Sequence, residues 1–200
     1  MMGCFNSKKL KSMTIRSDSK RSRGSGKKYL PQDTGEGQAV PSPRGLPEER
    51  PEFTERQKEI VLDTWQIIQK DIARVGVVMF MRLFETHPDV QEVFMPFKGK
   101  SKEDLSHSAQ LKAHALRVMG TVEKCLARIN EPKKMEELLH DLGAKHVMYN
   151  ARVDYIDLIG PQFLWAIQPA MKDSWTPEIE QAWSDLFKLI SHIIKEAMLL

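Results

Sequence analysis

Cysteine is almost missing from this 200-residue chain: Cys4 and Cys125 are its only two. That excludes a disulfide-stapled secreted scaffold and any cysteine-rich zinc module. Long hydrophobic runs are missing as well. The longest uncharged, apolar-leaning stretch, Leu158 to Met171, contains Pro161, Gln162, Gln168 and Pro169, and it is shorter than the roughly 18 residues that a membrane-spanning helix needs. No apolar segment follows the start, so no secretory signal is expected. There is no GxGxxG, P-loop, GxSxG, HExxH or EF-hand loop, which removes the common nucleotide, hydrolase, zinc-protease and calcium readings. A soluble intracellular chain is the expectation that remains.

Charge is nearly balanced overall, at +3, but it is unevenly placed. Residues 1–28 hold nine Lys/Arg against Asp18 alone, a net +8, so the rest of the chain carries −5. This stretch is rich in Ser and Gly and too poor in apolar residues to fold alone. Residues 29–53 show no periodicity and contain Pro31, Pro41, Pro43, Pro47 and Pro51. Residues 1–53 therefore read as a disordered basic arm with a proline-rich linker, and 54–200 as one domain.

A basic arm suits nucleic acid, a targeting signal or a membrane surface, and the first residues favour the last. Met2-Gly3-Cys4-Phe5-Asn6-Ser7 fits the pattern for N-myristoylation at Gly3, with Cys4 beside it for S-palmitoylation. Gly3 becomes terminal when translation starts at Met2 or when both methionines are removed. One acyl chain binds membranes marginally; a second chain or a polybasic stretch makes attachment stable. The predicted partner is the anionic inner leaflet of the plasma membrane, with no nucleic-acid role.

From Thr54 the pattern becomes helical. Thr54-Glu55-Arg56-Gln57 is a capping box, followed by Ile60, Val61, Trp65 and Ile68 at helical spacing. Further helices are expected over 75–84, 102–129, 135–146 and 155–171. A last one follows the Thr176-Pro177-Glu178 start signal. Residues 89–99 read as irregular. No sustained alternation of period two and no hairpin turn appears, so the body is all-α.

Among six histidines, two stand out. His114 lies mid-helix with Val118 one turn later on its face, and His146 closes a helix with Leu139, Leu142 and Gly143 on or near the inward side. Two helices broken at Pro132 would present one imidazole each across an apolar slot, a geometry suited to a planar apolar cofactor with axial imidazoles. Cys125 falls on the apolar stripe and reads as a small buried hydrophobe.

These residues resemble the globin family. Trp65 in the first helix, Arg82-Leu83-Phe84-Glu85-Thr86-His87-Pro88, Phe94 and Phe97 in the corner, Leu111-Lys112-Ala113-His114-Ala115 and Leu142-Gly143-Ala144-Lys145-His146 follow in globin order over 54–200. The resemblance implies a three-over-three globin fold binding haem b. His146 becomes the proximal iron ligand and His114 the distal histidine. Phe94 wedges on the porphyrin with Phe97 beside it, Phe80 and Val118 line the distal side, and Leu142 and Val153 the proximal side. Arg117 is placed to pair with a propionate. Phe80 stands where many globins have leucine, and the spacing from His146 to Val153 departs from that of common haemoglobins. Within the family, the Gly3-Cys4 start and basic extension look like globin X, an acylated, membrane-associated globin with both histidines on the iron. That implies diatomic gas ligands (oxygen, nitric oxide), an electron-transfer partner, and a redox, signalling or nitrite-reducing role at the cytoplasmic face of the plasma membrane. Reversible oxygen binding, storage or transport is the alternative, and a helical adaptor that has lost haem a more distant one.

Overall fold

The computed structural model describes residues 49–200. The calls on the basic arm, Gly3 and Cys4 lie outside the described residues. The described body comprises eight α-helices: α1 (Glu55–Ile68), α2 (Ile72–Thr86), α3 (Pro88–Val93), α4 (Lys102–Ser106), α5 (Ala109–Leu126), α6 (Pro132–Met148), α7 (Ile159–Met171) and α8 (Pro177–Leu199). A 3-10 segment, Val153–Leu158, joins α6 to α7. No strand occurs among the described residues.

Local chemistry sets the helix starts. The capping box at Thr54 forms in full: the Thr54 hydroxyl accepts from the Gln57 amide and the Gln57 side chain accepts from the Thr54 amide. Thr176 caps α8 by accepting from the Ile179 amide at 3.3 Å, with Pro177 in the first turn. The expected continuous helix over 102–129 is two helices. The Ser108 hydroxyl accepts from the Leu111 amide at 3.2 Å and starts α5 afresh after the short α4. The stretch expected to be irregular contains α3, with Pro88 in its first turn. Pro132 likewise opens α6 rather than preceding it, and α6 runs on to Met148. The helix expected from Tyr155 starts at Ile159, after the 3-10 segment.

The helices pack as two layers, α1, α5 and α6 over α2, α7 and α8. The main contacts between layers are α6 on α8, α5 on α2, and α1 on α8. The amphipathic α8 supplies much of the core through Trp183, Leu186, Phe187, Ile190 and Ile193. Trp183 is fully buried and donates its indole N–H to the Thr64 hydroxyl of α1 at 3.0 Å, so its polar atom is satisfied. Trp65 packs against it at a centroid distance of 6.1 Å. Two glycines permit close crossings. A Cβ on Gly76 of α2 would lie 3.0 Å from Met119 Cγ and 3.1 Å from Ala115 Cβ on α5. One on Gly143 of α6 would lie 2.6 Å from the Ile194 carbonyl oxygen of α8.

Candidate functional site

His114 and His146 are carried by α5 and α6, the two helices of one layer that make little direct contact with each other. The aromatic side chains around His114 come from α2 and the turn after α3. Phe80 and Phe97 are each 2% exposed, and Phe94 is half-buried against the core. The His114 ring has its centroid 4.9 Å from Phe80, 5.5 Å from Phe94 and 6.1 Å from Phe97, edge-on to all three. Such T-shaped packing is a favourable arrangement for aromatic rings. Among the described residues His114 makes no hydrogen bond. Burial among these rings, with the nearby charge of Arg117 and then of His146, lowers its pKa to about 4. The imidazole is therefore neutral at pH 7, the form that ligates a metal.

His146 is held differently. Its Nδ1 donates to the Leu142 carbonyl oxygen one turn earlier, at 2.8 Å. A carbonyl only accepts, so the proton is on Nδ1 and the lone pair is on Nε2. A backbone carbonyl holding the far ring nitrogen in this way fixes both ring orientation and tautomer for a metal.

The remaining expected residues fall around this pair. Val118, one turn after His114, and Leu142, one turn before His146, are half-buried and pack against the core. Val153 opens the 3-10 segment and is half-buried. Arg117 is exposed on α5, beside the site rather than within it. Phe84 was not expected here, yet its ring lies 5.9 Å from Phe80, 5.6 Å from Phe94 and 5.9 Å from Phe97, completing an aromatic cluster of four. The four-residue step from Phe80 to Phe84, which puts both on one helix face, was the available signal. Cys125 is fully buried, and burial pushes its thiol up to about 12, so it behaves as a core hydrophobe. Among the described residues, no group of three His, Cys, Asp or Glu side chains is arranged to hold a bare metal ion.

A histidine set among phenylalanine rings on α5 and a carbonyl-oriented histidine on α6 are two imidazoles of the kind that can hold a haem iron. The Globin family model matches residues 77–194, and the chain belongs to the globin family. It is 28% identical over 141 residues to Cytoglobin-2 of Danio rerio, covering 69% of this chain and 79% of that protein. It is 30% identical over 146 residues to the anaerobic nitrite reductase NSHB5 of Oryza sativa subsp. japonica, covering 73% of this chain and 96% of that protein. The crystal structure of a hexacoordinated heme protein from an anhydrobiotic tardigrade shares the fold, with a TM-score of 0.70 at 19% identity, over 74% of this chain and 96% of that one.

The residues fit the haem that membership of this family implies. The donor set is one imidazole whose Nδ1 is engaged by a carbonyl, leaving Nε2 for a metal, and one kept neutral by burial. The surrounding phenylalanines match an apolar macrocycle.

Proposed function

We propose that this protein is a haem b globin whose iron is held by His146 on one side and, in the absence of an external ligand, by His114 on the other. The observation that carries this reading is the asymmetry of the two imidazoles. One is locked by the Leu142 carbonyl, whereas the other is neutral, lacks a hydrogen bond among the described residues and is caged by aromatic rings. A neutral imidazole with no other partner has a free lone pair, and Phe80 packed edge-on limits where its ring can go. Bound haem would supply a one-electron couple and a binding position for a diatomic ligand. His114 would compete for that position, lowering apparent affinity by the fraction of open sites.

This arrangement suits electron transfer, redox signalling or nitrite reduction better than bulk oxygen carriage. Similarity to a plant protein named as an anaerobic nitrite reductase supports nitrite as a substrate to test. Reversible oxygen binding is the second reading, supported by similarity to Cytoglobin-2. Within the family, the Gly3-Cys4 start and basic arm support a globin X reading, with anchoring by acylation at the cytoplasmic face of the plasma membrane. Among the described residues, no helix is long and apolar enough to cross a membrane, so anchoring would rest on the lipid and the basic arm.

The test of the site is haem titration of the apoprotein and of His146→Ala. Stoichiometric, tight uptake by wild type and its loss in the variant are expected; equal uptake by both would overturn the proximal assignment. For the anchor, Gly3→Ala should move the protein from the membrane fraction to the soluble one, and an unchanged distribution would contradict acylation.

A further inference from the structure

We infer that α8 fixes the position of the His146 imidazole, through Gly143 and the Lys195–Asp157 ion pair, so that the proximal side is the rigid wall of the site. This rests on the haem reading above. Gly143 lies three residues before His146. A Cβ there would meet backbone, the Ile194 carbonyl oxygen at 2.6 Å, as well as Ala197 Cβ at 2.7 Å. The α6 backbone thus rests directly on α8, just ahead of the ligand residue.

Beyond His146 the chain leaves the helix through a tight turn. The Ala151 amide donates to the His146 carbonyl at 3.0 Å, and Asn150 adopts a left-handed φ of 57°. The 3-10 segment that follows is fastened twice. Lys195 of α8 donates to Asp157 Oδ2 at 2.7 Å, with the lysine side chain only 9% exposed. The Tyr155 hydroxyl donates to Asp89 of α3 at 2.9 Å. Residues 144–156, which carry His146, are therefore held at both ends by the same long helix. The lysine is little exposed while Asp157 is half exposed, so the ammonium depends on this carboxylate for its partner and removing Asp157 leaves it poorly solvated and unpaired.

No comparable fastening holds His114. The α5 helix crosses α2 at Gly76, where an added Cβ would meet Met119 Cγ at 3.0 Å, Ala115 Cβ at 3.1 Å and the Ala115 carbonyl oxygen at 3.3 Å, a looser crossing than the 2.6 Å approach at Gly143.

The experiment uses the full-length, haem-loaded chain and compares haem dissociation in wild type, Lys195→Met, the charge swap Lys195→Asp with Asp157→Lys, and Lys188→Met. Lys188 pairs with Asp185 on the same helix, away from the 3-10 segment. Haem loss should be about five-fold faster in Lys195→Met, as expected for loss of one partly buried pair, and the swap should return it to within about two-fold of wild type. Lys188→Met should match wild type. In parallel, amide hydrogen exchange of the haem-free chain should accelerate at residues 150–158 in Lys195→Met and not across α1 or α2. Unchanged haem loss and unchanged local exchange would overturn the inference, as would acceleration spread evenly over the domain. Asp157→Asn gives the same comparison where Lys195→Met fails to fold. If wild type takes up no haem, the functional reading fails, and exchange at 150–158 alone then decides whether α8 fastens this segment.

Discussion

The two walls of the site are built on opposite plans. On the α6 side, a glycine brings backbone to within 2.6 Å of an added Cβ, a carbonyl orients the histidine, and an ion pair with a little-exposed lysine closes the loop beyond. On the α5 side, the crossing at Gly76 is looser, at 3.0–3.3 Å, and the histidine packs against the edges of aromatic rings. Packed backbone has one arrangement, whereas rings and a methionine side chain have several of similar energy. On the proposed reading, this division would let His146 keep the cofactor while His114 yields to a ligand.

Breaking the rigid wall should have the largest effect. His146→Ala is expected to abolish tight haem binding altogether. Next, Gly143→Ala should destabilise the haem-free fold by about 2 kcal/mol in denaturant titration, because the strain of overpacking exceeds the gain of roughly 1 kcal/mol in helix propensity. Gly76→Ala sharpens the contrast. An added Cβ there would press on Met119 and Ala115 at 3.0–3.3 Å, looser than the 2.6 Å approach at Gly143, so the loss should be the smaller of the two, at most about 1 kcal/mol. Equal losses at the two glycines would contradict the difference between the walls.

The His114 environment gives a smaller, pH-dependent effect. Its folded pKa, about 4, lies below the unfolded value near 6.5. The unfolded chain therefore takes the proton first. The stability present above pH 6.5 is lost as pH falls toward 4, by about 1–2 kcal/mol after allowing for partial solvent screening. Stability of the haem-free chain measured between pH 7 and 4 should show this loss, and His114→Leu should reduce it. An identical pH profile in the variant would contradict burial of a neutral imidazole.

The parts of this fold legible in the sequence were those encoded locally. Thr54 and Thr176 announce their helices within four residues, and the stripe of α8 fixes its buried face. The break before α5 was hidden because Leu105 and Leu111 keep the apolar pattern going while the Ser108 side chain, a single hydrogen bond, restarts the helix. The 3-10 segment has no propensity signal of its own; it is held by Lys195, 38 positions from Asp157, and by Asp89, 66 positions from Tyr155. His114 and His146 could be singled out because each lies on or near an apolar helix face. The Leu142 carbonyl that fixes His146, and the close approach that makes Gly143 necessary, exist only once α6 has formed and packed on α8.

The measurement that bears most directly on this account is the visible absorption spectrum of the reduced, haem-loaded protein without added ligand, recorded for wild type and for His114→Leu. Two sharp low-spin bands in wild type, replaced by one broad high-spin band in the variant, are the predicted result. A broad high-spin band already present in wild type would show that His114 leaves the iron open at rest, contradicting the proposed ligation by His114 and giving reversible oxygen binding precedence.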